Sequence, residues 1–300
     1  MEAKKISVII PTYNRKEKLP ACVDSVLAQT YQNIEVLVVD DASTDGTEEL
    51  FREISDPRVK YLRYEENHGA CYARNYGACY ARNYGAERSD GELIAFQDSD
   101  DTWHPDKLEK QVRFLEETQV DMCFCGMNRI ATNGNHFHFP VHDFHKEHAV
   151  EEFLAENRAS TQTMLMKREV WETLRFDENI KRYQDWDFGI RAANTFDLGY
   201  MPEALVESEV GADSISARVA SYQHLLHLYK KHLDLYEQYP KSMAVMNRRM
   251  GKRVHPTDPA LAAKHFKKSL KLSKNPYDLK YWIMDSIRSS VNGRERKVSE

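Results

Sequence analysis

The chain has 300 residues, of which 41% are hydrophobic and 30% are charged, as is ordinary for a soluble globular protein. No apolar run approaches the 18 residues of a membrane-spanning helix, which argues against a transmembrane protein. The formal net charge is −5, although residues 251–300 carry 12 Lys/Arg against 5 Asp/Glu. The acidic remainder argues against nucleic acid as a partner.

Strands and helices alternate along the first 120 residues. Strands are predicted at Ile6–Ile10, Ile34–Val39, Val59–Tyr64 and Glu92–Gln97, and helices at Arg15–Gln29, Thr47–Ile54, 69–88 and from Pro105 onward. Such alternation predicts βαβ units and a mainly parallel sheet with helices on both faces.

The alternation loosens after residue 120. Further strands are predicted at 121–126, 163–166 and 204–210, a histidine-rich loop at 133–148 and a helix at 185–196. From about residue 217 the pattern is helical. We therefore predict an α/β domain over residues 1–215 and a helical, basic extension over residues 216–300.

Two acidic clusters follow predicted strands. Asp40-Asp41 follows the second strand, and Asp98–Asp101 follows the fourth. Because ligands of open α/β sheets bind beyond the carboxyl ends of the strands, we expect both clusters in one cleft. Two carboxylates at a strand end can hold Mg²⁺ or Mn²⁺ together with diphosphate oxygens. The alternative is a capping and turn cluster before the helix at Pro105.

Five motifs then occur in a fixed order: SVIIPTYNR, VLVVDDASTDGT, ENHGACYARNYGA, DGELIAFQDSDDTWHPDKLEKQ and YQDWDFGIRAA. Together they resemble the family 2 glycosyltransferases, over about residues 4–215. The resemblance implies the GT-A fold, a Rossmann-like α/β fold with a mixed, mainly parallel sheet. It also implies an inverting transfer of a sugar from a nucleotide-diphosphate donor, with a divalent metal, Mn²⁺ or Mg²⁺, as cofactor.

The resemblance assigns the nucleotide to the ends of the first two strands. It implies that Pro11 contributes backbone contacts, that Tyr13 stacks on the base and that Asp41 accepts a hydrogen bond from the base. An acceptor at this position favours uracil, and therefore a UDP donor. Asp40 is expected to shape the turn. Without the resemblance, Tyr13 would be a packed aromatic and Asp41 part of a capping turn.

The remaining acids match the family's metal motif and its general base. The resemblance implies that Asp100 contacts the metal directly, and that Asp98, a second metal-binding candidate, lies nearer the sugar or ribose. Asp101 is expected to cap the next helix. Asp185 matches the base that deprotonates the acceptor hydroxyl as it attacks C1. The alternative role for Asp185 is the N-cap of helix 185–196.

An eight-residue segment is repeated without change. Gly69–Tyr76 (GACYARNY) recurs as Gly77–Tyr84. In a helix the repeat adds about 12 Å and rotates whatever follows by about 80°. Because the family's ARN motif now occurs twice, we expect Arg74 to keep its role near the diphosphate and Arg82 to be displaced.

Two departures from the family narrow the prediction. Gly211 stands where many relatives carry a histidine that joins the metal shell, so the third ligand is open. The Q/R-x-x-R-W motif of processive synthases is missing, which favours single additions over polymer extrusion.

The resulting functional prediction is a non-processive glycosyltransferase that acts on a glycan or a lipid-linked saccharide. We expect it in the cytoplasm, since the N-terminus lacks a signal-peptide pattern and the five cysteines show no disulfide pattern. The basic tail could bring it to the inner face of the membrane. The alternative is a catalytically silent nucleotide-sugar-binding protein of the same fold. A pyrophosphorylase is disfavoured because PTYNRKEK lacks a glycine-rich phosphate loop.

Overall fold

The computed structural model describes residues 3–64, 74–131, 133–210 and 221–298. Within these ranges, no helix combines the length and the apolar character needed to cross a bilayer. The chain forms two compact units: the sheet unit, residues 1–149 with 157–218, and the helical unit, residues 150–156 with 219–300. The predicted boundary between residues 215 and 216 lies outside the described residues and stays a prediction.

Helices and strands follow one another as the first motifs predict. The strands are β1 (Ile6–Thr12), β2 (Ile34–Asp40), β3 (Val59–Arg63), β4 (Leu93–Phe96), β5 (Asp101–Trp103), β6 (Met122–Ala131), β7 (His136–Phe139), β8 (Met164–Lys167) and β9 (Leu198–Val210). The helices are α1 (Leu19–Leu27), α2 (Thr47–Glu53), α3 (Arg74–Glu87), α4 (Lys107–Thr118), α5 (Ala149–Ala155), α6 (Arg168–Leu174), α7 (Gln184–Thr195), α8 (Tyr222–Lys231), α9 (Leu233–Gln238), α10 (Pro240–Val254), α11 (Pro259–Ser273) and α12 (Pro276–Val298).

The strands of the described chain form one mixed sheet. Their order is β3-β2-β1-β4-β8-β6-β9-β5, and β7 pairs with β6. Strands β3, β2, β1 and β4 are parallel to one another. Strand β8 runs antiparallel between β4 and β6, and β6 and β9 are again parallel. The predicted α/β fold, with a mixed, mainly parallel sheet and a helical C-terminal part, is confirmed.

The central strands are buried because helices cover both faces of the sheet. Every residue of β1 and of β2 is buried, which explains why both are mostly apolar. On α1 the buried residues Leu19, Cys22 and Val26 recur at helical spacing, as predicted. Pro11 lies one residue before the end of β1.

Two short strands contradict the sequence analysis. β5 pairs with β9, with Asp101 opposite Ser208, so Asp101 does not cap the next helix. That helix begins at Lys107 rather than at Pro105. β7 lies inside segment 133–148, which the sequence pattern predicts to be a loop. Both strands have only three or four residues and form through pairing with distant segments, which local patterns do not reveal.

The helical unit has its own core around Val254, Ala262 and Phe266. α10 and α11 approach closely at Gly251, where an added Cβ would lie 3.1 Å from the ring of Phe266. A buried ion pair, between Arg248 Nε and Asp278 Oδ1 at 2.7 Å, joins α10 to α12. These contacts let the helices bury their apolar faces against one another.

Candidate active site

A cavity of about 420 Å³ opens in the sheet unit beyond the carboxyl ends of β1, β2 and β4. The predicted site residues with described side chains all line it: Pro11, Tyr13, Asp41, Asp98, Asp100 and Asp185. The prediction that both acidic clusters meet in one cleft is therefore confirmed. The topology explains this, because β1, β2 and β4 are parallel neighbours whose carboxyl ends lie at one edge of the sheet.

The turn after β2 is built around Asp40. Its Oδ1 accepts hydrogen bonds from the backbone N–H of Ser43 at 3.0 Å and from the Ser43 hydroxyl at 2.6 Å. Asp40 therefore shapes the turn, as predicted. Asp41, 5% exposed, lines the cavity, and Ala42 behind it has a left-handed φ of 58°. A non-glycine residue in this region is strained, and such strain is concentrated at functional sites.

The loop after β1 is tied to the same turn. Asn14, with a left-handed φ of 50°, donates its backbone N–H to Ser43 Oγ at 2.8 Å. Its Oδ1 accepts the backbone N–H of Thr44, also at 2.8 Å. These bonds fix the half-buried Tyr13 on the cavity wall that Asp41 also lines. The arrangement gives one wall an aromatic face beside a hydrogen-bond acceptor.

The second copy of the repeat reaches the acidic cluster. Arg82 Nη2 lies 2.6 Å from Asp98 Oδ1, and Thr161 Oγ1 lies 3.3 Å from both groups. The expectation that Arg82 is displaced from the cleft is therefore wrong. The side chain of Arg74 lies outside the described residues, so its contact with the diphosphate stays a prediction.

Contacts of the C-terminal half of α3 explain why Arg82 lies in the cleft. Asn83 donates to the carbonyl of Phe176 at 2.9 Å and accepts the Phe176 backbone N–H at 3.0 Å. Gly85 packs so closely on β1 that a Cβ there would meet Ile9 at 2.7 Å. These contacts fix the register of the second copy, and the described part of α3 extends N-terminally from it to Arg74.

The other carboxylates of the cluster differ in their partners. Asp100 faces Arg15, with Nη2 3.2 Å from Oδ2. Burial and the neighbouring charge of Asp98 raise the pKa of Asp100 above its ordinary value. The buried Asp101 accepts a hydrogen bond from Gln162 Nε2 at 2.7 Å. Asp101 therefore supports the structure of the cluster.

The cluster fits a hard divalent cation. Asp98 and Asp100 expose 30% and 26% of their side chains and both line the cavity. Two carboxylates suit Mg²⁺ or Mn²⁺, which keep waters and bind substrate phosphates as further ligands. In the described ranges no three His, Cys, Asp or Glu side chains group around a metal position. Gly211, where relatives carry a histidine, lies outside those ranges.

Asp185 lies in the first turn of α7, across the cavity. The N-cap residue is Tyr183, with a left-handed φ of 68°, so the N-cap alternative for Asp185 is wrong. Trp186 N–H donates to Asp185 Oδ1 and Asn157 Nδ2 donates to Oδ2, each at 2.8 Å. Burial raises the pKa of Asp185, and these two hydrogen bonds oppose the rise. The result is an oriented carboxylate whose proton affinity exceeds that of an exposed aspartate.

Sequence reasoning missed several polar residues of the cavity. Arg15 was inside a recognised motif and could have been found from its charge. Arg129, on β6, and Arg182, just before α7, belong to no recognised motif. Asn157 could not be recognised from the sequence, because it belongs to no motif and only the fold brings it to Asp185. The cavity thus combines acids for a cation with arginines for an anion.

The comparison with protein families matches residues 7–175 to the model described as glycosyl transferase family 2. A UDP-Glc:alpha-D-GlcNAc-diphosphoundecaprenol beta-1,3-glucosyltransferase, WfaP of Escherichia coli, is 40% identical over 115 residues, which are 38% of this chain and 43% of that protein. The amylovoran biosynthesis glycosyltransferase AmsB of Erwinia amylovora is 32% identical over 199 residues, 64% of this chain and 65% of AmsB. The chain thus spans less than two thirds of the length of both relatives.

Solved structures share the fold at low sequence identity. The crystal structure of S. aureus TarS 1-349 superposes with a TM-score of 0.64 at 17% identity, covering 97% of this chain and 91% of that one. The mannosyltransferase PcManGT from Pyrobaculum calidifontis, in complex with GDP-Man and Mn²⁺, gives a TM-score of 0.59 at 19% identity, over 97% of this chain and 87% of that one. At these identities the likeness shows the GT-A fold alone.

Proposed function

Since this chain belongs to glycosyl transferase family 2, we propose that it transfers a sugar from a UDP-linked donor to a saccharide acceptor with inversion at the anomeric carbon. The supporting observation is the single cavity where the two acidic strand ends face Asp185. The reaction needs a held nucleotide, a neutralised diphosphate and a deprotonated acceptor hydroxyl.

The nucleotide is assigned to the wall formed by the loops after β1 and β2. Tyr13 would stack on the base, Pro11 would contact it through the backbone and Asp41 would accept its N–H. The left-handed turn at Ala42 and the hydrogen bonds of Asn14 hold these groups before a ligand arrives. An acceptor that is buried beside the aromatic ring supports uracil as the base, and hence UDP.

The diphosphate is assigned to the acidic cluster and its arginines. Asp98 and Asp100 would hold Mn²⁺ or Mg²⁺, which supplies positive charge to the leaving phosphate oxygens. Arg15 and Arg82 already lie on these carboxylates and can turn their guanidinium donors to the diphosphate. In this proposal Arg82 takes the role that the motif gives to Arg74, which remains a second candidate.

The chemical step is assigned to Asp185. Its carboxylate accepts the proton of the acceptor hydroxyl while that oxygen forms a bond to C1 and the bond from C1 to the diphosphate breaks. One base without a covalent nucleophile gives inversion. Burial raises its pKa, which improves it as a proton acceptor as long as it stays ionised.

The acceptor is proposed from the relatives. The E. coli relative is named for a diphosphoundecaprenol-linked acceptor and a glucose donor. We therefore propose a hexosyl transfer to a lipid-linked saccharide during cell-surface polysaccharide synthesis, one sugar at a time. Such an enzyme would work in the cytoplasm, at the inner face of the membrane.

The test is a thermal-shift screen of nucleotide-sugars with and without Mn²⁺, followed by donor turnover. Binding to the native state raises the apparent stability, so the true donor should raise Tm most, and only with metal. Asp185→Asn should keep that shift and lower turnover by about 10²- to 10⁴-fold.

Asp197→Asn is the matched control, because Asp197 is an exposed carboxylate of the same unit outside the cavity. Its turnover should equal that of the unaltered chain. Metal-dependent donor binding without turnover in the unaltered chain would favour the silent binding protein. Absence of any donor shift would contradict both.

A further inference from the structure

Helix α12 exposes an apolar stripe to solvent. Leu279, Ile283 and Ile287 are 41%, 48% and 60% exposed. Residues four apart lie on one face of a helix, so the three side chains form a continuous row. Of the six large hydrophobic side chains that are exposed in the described chain, four belong to α12. Such a concentration marks an interaction surface.

Helix α11 and the part of α12 up to residue 290 carry no exposed carboxylate. Between residues 259 and 290 the acidic residues are Asp278 and Asp285, and both are 0% exposed. Asp278 pairs with Arg248, and Asp285 accepts a hydrogen bond from His255 Nδ1 at 2.8 Å. Both carboxylates are therefore paired inside the helical unit and do not contribute negative charge to its surface.

Basic side chains fill the same surface. Six lysines between Lys264 and Lys280, together with Arg288, are all exposed. Lys267 on α11 places its ammonium 5.7 Å from the ring centre of Trp282, the neighbour of Ile283. At least one cation of α11 therefore lies beside the apolar stripe of α12.

We propose that this face of the helical unit, formed by α11 and α12, docks on an anionic lipid bilayer. The aliphatic row would enter the boundary of the hydrocarbon region while the lysines contact the head groups, as in an amphipathic surface helix. Nucleic acid would match the charge but would leave the row of Leu and Ile in water. The inference stands without the proposed function, although a lipid-linked acceptor would lie at such a surface.

The apolar contribution is tested by sedimentation of the full chain with vesicles. One set contains phosphatidylcholine alone, and in the other phosphatidylglycerol replaces part of it. We expect binding to the anionic set, with the double variant Ile283→Ser/Ile287→Ser weaker by about tenfold or more. Val141→Ser is the control, because Val141 is 70% exposed on the sheet unit.

The electrostatic contribution is tested by Lys267→Gln/Lys271→Gln/Lys274→Gln. Each lysine near an anionic surface contributes about a fivefold increase in affinity, so the triple variant should bind at least tenfold more weakly at low salt. Added salt should remove the difference. Lys230→Gln/Lys241→Gln, at exposed lysines of α8 and α10, should bind like the unaltered chain.

Three outcomes would overturn the proposal. The isoleucine variant could bind anionic vesicles like the unaltered chain. It could instead convert a dimer into a monomer, which would make a second copy the occupant. A single-stranded oligonucleotide could bind in a lysine-dependent way that the isoleucine variant leaves unchanged. Donor thermal shifts of the same variants are measured alongside, so failure of the proposed function is seen separately.

Discussion

Two arginine–aspartate pairs of nearly equal length have very different surroundings. In the cleft, Arg82 lies 2.6 Å from Asp98, which is 30% exposed. In the helical unit, Arg248 lies 2.7 Å from Asp278, which is 0% exposed. Asp278 also accepts the hydroxyl of Ser269 at 2.7 Å, whereas Arg82 Nε has no hydrogen-bond partner within the described structure.

The comparison shows that the length of an ion pair does not reveal its role. When further donors also hydrogen-bond to the carboxylate of a buried pair, no acceptor is left for a ligand, and we call the pair closed. Such a pair holds helices together. A pair with unused hydrogen-bonding capacity, at the wall of a cavity, remains available to a ligand. We therefore expect changes to the helical pair to alter stability and changes to the cleft pair to alter binding.

The largest effect is expected from Arg248→Met. It leaves the fully buried Asp278 without its cation, and breaking a buried pair costs about 3–5 kcal/mol of unfolding free energy. Urea denaturation of the full chain measures the loss, and the donor thermal shift should persist. Arg253→Met, at an exposed arginine of the same helix, is the control. A loss below about 1 kcal/mol would show that the helical pair is as replaceable as a surface pair.

The same pair should make the helical unit sensitive to acid. Burial would raise the pKa of Asp278, but hydrogen bonds from Arg248 and Ser269 outweigh it and lower the pKa below 3.8. A lowered folded-state pKa gives stability that is fully present above the unfolded value and is lost as pH falls through the folded value. Asp278→Asn should remove this loss below about pH 4.

The next effect is expected from Arg82→Met in the cleft. It removes a guanidinium from the proposed diphosphate site, so donor affinity should fall about ten- to a hundredfold, as isothermal titration can measure. Stability should fall less than in Arg248→Met, because the carboxylate left without its arginine is 30% exposed at Asp98 and 0% exposed at Asp278. Arg74→Met carries the same change in the first copy of the repeat. A larger loss of affinity in that variant would return the role to Arg74.

A smaller effect is expected from Asn157→Leu. This change removes the hydrogen bond to Asp185 Oδ2 but leaves the burial that raises its pKa. The pKa of the base should rise further, which moves the acidic limb of the kcat/KM profile to higher pH. Asn128→Leu, which removes an amide donor from Glu207 outside the cavity, is the control. An unshifted limb with lower activity would indicate a purely structural role for Asn157.

The smallest effect, of opposite sign, is expected from Asp100→Asn. Removing one of several neighbouring carboxylates relieves repulsion, so the metal-free chain should gain up to about 1 kcal/mol. The Mn²⁺-dependent part of the donor thermal shift should disappear. Asp278→Asn should instead destabilise the chain near neutral pH. If both Asp100→Asn and Asp278→Asn lowered the stability, the distinction between the carboxylates of the cleft and the closed pair of the helical unit would be contradicted.

Much of the sheet unit could be predicted from the sequence. β1, β2 and β4 are mostly apolar, and the acids that follow β2 and β4 must share an edge once the strands are parallel. β5 and β7 could not be predicted, because their residues form strands only against β9 and β6. The local pattern of a three-residue strand does not differ from that of a turn.

The sequence predicts those residues of the cleft that belong to the five family motifs. Tyr13, Asp41, Asp98, Asp100 and Asp185 were recognised, and they line one cavity. The choice between the two ARN copies was not, because identical sequences can be told apart only by their distant contacts. Asn157 was missed for the same reason, since 28 positions separate it from the carboxylate that it orients.

The repeat has a consequence for experiments on this chain. Deleting residues 69–76 or residues 77–84 yields the same amino-acid sequence, because the two copies are identical. Arg82, Asn83 and Gly85, whose contacts fix α3 in the sheet unit, keep their sequence neighbours in the shortened chain, so we expect it to assemble the same cleft. A single deletion therefore gives a chain without the repeat for a side-by-side measurement.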